Sequence, residues 1–433
     1  PKGVLCSFDK DFLAVPQEAL ISTMEQNQKF FPVLDHNGRL TERFVGVANI
    51  ESNDVEEVRK GYERVIRPRF ADAKFFFDED LKQGIVAMAS GLGDVTYQQK
   101  LGSYADKSLR VANLAQSIAE QLGADAEQAR SAAKLAKADL QSRMVGEFPE
   151  LQGIAGRYYA SAAGLAAEVA SAIDEAYRPR FAGDAIAESK LGRVLAVADR
   201  LDTLAGAMAI GTRPTGNKDP FGLRRNALGL ARTLIEGGLD LDLGELLTRA
   251  LKAQPVEAAP EVGKYLEEFV LERLRSYYEE QGVSGAQFDA VRAVDFGSLP
   301  DFDKRVKAVR EFAKLSAAQT LAAANKRIRN ILKKAEDEIP ATVDPELLSE
   351  TPERTLHQAV EAAIKATDPY LAQRNYVGAL KHMAFLREPV DEFFQHVMVM
   401  DDNLPVRRNR LALLKRLADR FSAVAEIGLI SAG

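Results

Sequence analysis

Between Asp301 and Lys334 the chain carries ten Lys and Arg against three Asp and Glu, a local balance of +7. Between Asn403 and Arg420 there are six against one, or +5. The whole chain is −6, so the remainder carries −18. An acidic body with two basic helical stretches suits a protein that grips one part of a polyanion. The candidates in the first stretch are Arg305, Lys307, Arg310, Lys314, Lys326, Arg327, Arg329 and Asn330. Ammonium and guanidinium groups neutralise phosphates, and Arg and Asn also hydrogen-bond exposed base edges. Solvated helix faces of this composition are common, so the cluster carries more weight than any one member. Two smaller patches are Arg64, Arg67 and Arg69, and Arg213, Lys218, Arg224 and Arg225.

The residues of covalent and metal chemistry are not arranged for it. No Gly-x-x-x-x-Gly-Lys-Ser/Thr loop is present to cradle a triphosphate, and no Gly-x-Ser-x-Gly elbow to present a nucleophile. The four histidines are His36, His357, His382 and His396. The expectation is therefore no catalytic residue and no metal in this chain. Cys6 is the one cysteine and cannot form an internal disulfide, which points to a reducing compartment. With no apolar run near the ~18 residues of a membrane helix and no signal peptide, the expected location is the cytoplasm.

These residues must be held by elements that the pattern partly reveals. A length of 433 residues predicts about three domains. Residues 1–95 read as a small α/β domain: strands at 4–8, 30–34 and 44–50, a helix at 16–28, and a helical stretch at 56–81 broken at Pro68. Residues 96–250 read as helical throughout, with loops at 144–156 and 211–222. Residues 251–433 read as a linker and a helical domain, preceded by a loose connection over 236–260. Pro300, Pro340, Pro345, Pro352, Pro369, Pro389 and Pro405 punctuate its helices. Leu321, Ala324, Ile328 and Ile331 make one core stripe, and Leu411, Leu414, Leu417, Phe421 and Val424 another. The fold class is multidomain and predominantly α-helical.

The most distinctive stretch is 134–159, a helix that breaks at Gly146 and Pro149 and closes on Gly153 and Gly156. Its segments KADL (137–140), MVGEFPELQG (144–153) and Tyr158-Tyr159-Ala160 resemble the beta-subunit family of bacterial tetrameric glycyl-tRNA synthetases. In the same order follow the family's PQEALISTM (16–24), VANIES (47–52), ERVIRPR (63–69), KLGS (100–103), ADRLDTL (198–204), PTGNKDPF (214–221), AANKRI (323–328) and NRLALL (409–414). The resemblance covers essentially the whole chain and implies that a further N-terminal region of the family's subunit is missing.

It also implies roles. Residues 1–95 would be akin to the B3/B4 domain of the phenylalanyl enzyme, and 261–433 to the helical anticodon-binding domain of the arginyl-type synthetases. The middle domain resembles the HD superfamily, whose phosphohydrolases bind metal through an early His, a His-Asp pair and a later Asp. The matching positions here are Ala138-Asp139 and Asp199, with no histidine between 37 and 356. Too few ligands remain for a transition metal, and the two aspartates are expected to be structural, paired with Lys137 or Arg200. The implied partners are glycine tRNA and an α subunit, in an α2β2 heterotetramer, with ATP and magnesium in α; neither DNA nor a membrane is expected. Arg64, Arg67, Arg69, Arg213, Lys218, Arg224 and Arg225 are acceptor-arm or subunit contacts on this view, against solvated or inter-domain positions.

Overall fold

The computed structural model describes residues 1–216, 218–336 and 338–432, so Asn217 of the PTGNKDPF loop lies outside the described residues. The chain divides into two compact units, Pro1–Gly237 with Gly244–Glu267, and Gly238–Leu243 with Glu268–Gly433.

The first unit opens with β1 (Lys2–Ser7), α1 (Gln17–Ser22), β2 (Phe31–Leu34) and β3 (Leu40–Ala48). β3 is central and antiparallel to both neighbours. Alternation along the strands buries Val4, Cys6 and Phe44 and leaves Leu5 and Val47 outside. The long α2 (Val55–Gln83) packs on β1, with Phe70 edge-on to Phe8 at 4.9 Å. Pro68 does not interrupt this helix. It lies on the exposed side, while Ile66 and Phe70 to either side of it are buried and hold the helix through.

After α3 (Ile85–Ser90), the stretch at 96–103 is a small hairpin rather than helix, β4 (Thr96–Gln98) with β5 (Gly102–Ser103). Gly102 turns the chain at φ +90°, and Ser103 with Asp106 then forms a capping box that starts α4 (Tyr104–Gln121). Next come α5 (Ala126–Leu135), α6 (Arg143–Glu147), α7 (Ile154–Ala162), α8 (Ala167–Glu175), α9 (Lys190–Ala209) and α10 (Leu223–Glu236). α9 is buried along nearly its whole length, with α4, α8 and α10 against it. The expected loop at 144–156 is mostly α6 and a tight turn at Pro149–Leu151. The connection over 236–260 likewise contains a helix, α11 (Leu243–Lys252).

Then follow α12 (Val262–Glu279), α13 (Gly285–Arg292), α14 (Leu299–Phe312), α15 (Ala318–Lys334), α16 (Thr351–Ala372), α17 (Tyr376–Met383), α18 (Arg387–His396) and α19 (Leu404–Ser422). Pro300, Pro352 and Pro405 occupy first turns, as their fixed φ favours. Pro369 instead lies inside α16. In the preceding turn the Thr367 hydroxyl donates to the Ala363 carbonyl at 2.6 Å and Arg420 to the Ile364 carbonyl at 2.7 Å, which ties α19 to α16 just before the proline. The α19 stripe is core, with Leu411, Leu414, Leu417, Phe421 and Val424 all buried, while on α15 Leu321 and Ile328 are buried and Ala324 and Ile331 are half-buried.

Arg410 is the largest fully buried side chain among the described residues. Its guanidinium pairs with the buried Glu353, with Glu350 at 2.7 Å and with Asp401 at 2.9 Å, and it donates to the Met398 carbonyl. Removing one member of a buried pair strands the other, at a cost of about 3–5 kcal/mol. Arg410→Met is expected to lower the urea unfolding free energy by about that much. Adding Glu353→Leu should restore a large part, and a double variant no better than the single would contradict this account.

Candidate nucleic-acid interface

Most of the basic residues in the two charged stretches are engaged inside the second unit. Arg305, expected to face a nucleic acid, is buried and must be corrected. It pairs with Asp301 at 2.7 Å and donates to the Ala423 and Val424 carbonyls and to the Tyr376 hydroxyl. Lys307 is exposed but pairs with Asp303, and Lys314 with Glu311. Arg310 donates to the Gln281 carbonyl and stands 3.7 Å from Glu311. Arg329 pairs with Glu426 at 2.9 Å and bonds Ser422. In the second stretch Lys415 pairs with Asp419, Arg416 with Glu361 and Arg420 with Asp368.

Lys304 on α14 and a strip on α15 remain. Lys326, Arg327, Asn330, Lys333 and Lys334 are exposed, and none has an ion-pair partner among the described residues. Helical spacing explains the division. Leu321, Asn325 and Ile328 face the core, so residues one or two positions on from them face water. Arg327 lies over the Phe394 ring at 4.3 Å, which orients its guanidinium without neutralising it.

In the first unit, Arg64, Arg67 and Arg69 are all exposed on α2 and unpaired among the described residues. Arg213 lies over the Tyr265 ring at 4.2 Å. Lys218 and Arg225 are exposed, and Arg224 is half-buried, its backbone N–H given to the Asp219 carboxylate that caps α10. The structure thus brings Lys218, Arg224 and Arg225 together at the entry to α10, while Arg64, Arg67 and Arg69 belong to a separate helix.

Asp139 and Asp199 are both held within the fold, although Asp139 Oδ1 is buried without a hydrogen-bond partner. Asp139 follows Ala138 in a short turn, is buried, and accepts N–H donors from Gly153 at 2.6 Å and Gly156 at 3.0 Å. This explains the Gly-x-x-Gly. Gly153 sits at φ +83°, and a Cβ there would stand 2.6 Å from the Tyr177 ring. Asp199 lies between two ammonium groups, Lys107 at 3.3 Å and Lys137 at 3.4 Å. The expected pairing with Lys137 is present, whereas Arg200 turns away and donates to the carbonyls of Ala176, Ala196, Tyr177 and Pro179. Lys107 also pairs with the buried Asp202 at 3.0 Å, as does Arg110 at 2.6 Å. Sequence reasoning missed Lys107 and Arg110. The signal was a pair of basic residues three apart on α4 facing a pair of acids three apart on α9.

Two carboxylates engaged by backbone N–H groups and by ammonium ions do not fit a metal centre, and no group of three or more His, Cys, Asp or Glu with metal-site geometry occurs among the described residues. Burial raises the Asp199 carboxyl, but the flanking lysines outweigh it and hold it well below the usual range. Lys137 is pushed down, chiefly by burial. Burial pushes Asp139 up to about 6, against the opposing pull of its two N–H donors. The folded chain therefore holds a proton there that the unfolded chain releases, and the group's contribution to stability declines as the pH climbs from about 4 through 6. In urea unfolding at pH 4 and pH 7, the parent should lose of order 3 kcal/mol relative to Asp139→Asn. A difference independent of pH would refute this.

A family model described as "Glycyl-tRNA synthetase beta subunit" matches residues 1–293, and one described as "DALR anticodon binding domain" matches residues 321–427. The glycine–tRNA ligase beta subunit of Xanthomonas campestris pv. campestris (strain B100) is 61% identical over 438 residues, covering all of this chain and 63% of the relative. That of Xylella fastidiosa (strain 9a5c) is 55% identical over 462 residues, covering all of this chain and 64% of the relative. That of Pseudomonas aeruginosa (strain UCBPP-PA14) is 49% identical over 432 residues, covering 99% of this chain and 63% of the relative. The chain thus spans a little under two thirds of the length of the curated relatives it matches.

Proposed function

The chain belongs to the glycyl-tRNA synthetase beta subunit family, and on that premise we propose that it is the tRNA-holding portion of a cytoplasmic glycine–tRNA ligase. Glycine activation falls to a separate α subunit of an α2β2 assembly, which takes the ATP and magnesium, and this chain binds no cofactor of its own in that reaction. Its contribution is positioning. Fixing the anticodon arm at one place lets the acceptor end reach the α subunit, and orientation of this kind supplies a large part of a rate enhancement without any residue entering the chemistry.

The observation that carries the reading is the unpaired strip Lys326, Arg327, Asn330, Lys333 and Lys334, which lies within the span matched as an anticodon-binding domain. RNA readers take unstacked loop bases while cations hold the backbone, and a strip with Arg and Asn among lysines offers both. On the same reading Lys218, Arg224 and Arg225 meet the acceptor arm, and Arg64, Arg67 and Arg69 meet the RNA or the α subunit. The helices of 96–250 are then an HD-like domain in which the ammonium groups of Lys107 and Lys137 replace the charge of a metal.

The test is binding of the chain to glycine tRNA and to a tRNA with an unrelated anticodon, each at 50 and 200 mM salt. Glycine tRNA should bind more tightly, and the triple variant Lys326→Ala, Arg327→Ala, Lys333→Ala should weaken it. Each lost phosphate contact should flatten the log–log salt dependence by about 0.7–0.9. No binding at low salt would overturn the proposal.

A further inference from the structure

A cavity of about 340 Å³ opens in the first unit beside the Asp199 cluster, walled by Tyr177, Arg180, Asp199, Phe221, Arg225 and Asn226. Its volume is in the range of small-ligand pockets and far above the roughly 30 Å³ that one liquid water occupies. Its charge is lopsided. Asp199 is already neutralised by two lysines, so the wall keeps cations to spare. Arg225 is exposed and unpaired among the described residues, with its guanidinium folded back over Gly222. Arg180 is anchored through Nη2 alone, to Asp174 at 2.9 Å and the Gln152 carbonyl at 2.8 Å.

Two further features point to an occupant. The Tyr177 hydroxyl is buried without a hydrogen-bond partner, although buried hydroxyls are normally satisfied. Phe221 holds a left-handed backbone at φ +65°, unfavourable for an aromatic residue, and keeps a partly exposed ring at the rim, 6.2 Å from the ring of Tyr97. Strain of that kind persists where the surroundings enforce it, and it is concentrated at ligand clamps.

We propose that this cavity binds a nucleoside monophosphate unit, its phosphate held by Arg225 and Arg180 and its base against Phe221, with the Tyr177 hydroxyl completing the polar contacts. An arginine fork matches a phosphate bidentately, and an aromatic face accepts any base. The unit comes either from a free nucleotide or from the end of an RNA. The inference rests on the cavity; it shares Arg225 with the acceptor-arm reading above, which its RNA-end arm deepens, and it stands independently of the anticodon reading.

The experiment is titration of the whole chain with AMP, adenosine and inorganic phosphate, followed by displacement of AMP with a short oligoribonucleotide carrying a 3′-terminal adenosine. AMP should bind at least tenfold more tightly than either adenosine or phosphate. Arg225→Ala and Phe221→Leu should each weaken it about tenfold, and Arg225→Lys should recover part of the loss. Both positions are at the surface, so unchanged melting temperatures will show that the variants fold. Displacement by the oligonucleotide identifies an RNA end as an occupant, and failure to displace identifies free nucleotide. AMP binding unaltered by both substitutions, or no AMP or oligonucleotide binding at millimolar concentration, would overturn the proposal. Loss of tRNA binding in the α15 variants with AMP still bound concerns the other reading alone.

Discussion

Charge buried on α9 governs the first unit. Asp199 and Asp202 sit on a helix that is almost wholly out of water, where an unpaired carboxylate would be prohibitively costly. Lys107 and Arg110 answer them from α4, Lys137 answers from the turn that precedes Asp139, and the Gln254 amide adds a bond to Asp202 at 3.1 Å. One set of ion pairs therefore fixes α4 against α9 and locks the following turn to both. Asp139 extends the network by gathering the N–H groups of Gly153 and Gly156, which sets the start of α7. These ion pairs and hydrogen bonds hold helices and a cavity wall in place.

The second unit obeys the same constraint with the opposite sign in excess. Arg305 and Arg410 are guanidinium groups inside a helical core, each surrounded by carboxylates and by carbonyls at helix ends. Arginine suits this role because its fork satisfies several acceptors at once. Much of the positive charge that composition attributes to the C-terminal region is thus internal wiring. Among the described residues, Lys326, Arg327, Lys333 and Lys334 face water unpaired as a short strip on α15, whereas Lys304, Lys365 and Lys381 do so singly on other helices. A small set of free cations on a rigid helix is well matched to the proposed role of holding tRNA, since a rigid platform keeps orientation while loose side chains would not.

The fold was legible in outline from the sequence. Short apolar runs rich in β-forming residues gave the three strands of the sheet, and helical periodicity gave the core stripes of α15 and α19, because these are local patterns. Boundaries were misread where tertiary packing overrides local chemistry. Pro68 and Pro369 lie within continuous helices whose buried neighbours, Ile66 and Phe70 in one and Thr367 in the other, hold the backbone through. The hairpin at 96–103 was missed because its strands are two and three residues long, too short to show a period.

The sequence by itself determined the family, the helical class, the absence of histidines near Asp139 and Asp199, and where basic residues concentrate. Those are properties of residue identity and order. Only the tertiary structure decided which charges are available. Arg305, Lys326 and Arg329 are indistinguishable along the chain, yet one is buried among carbonyls, one is free in solvent and one is tied to Glu426. Whether a cation reaches a ligand depends on the acceptors that distant segments bring to it, and no local pattern records them.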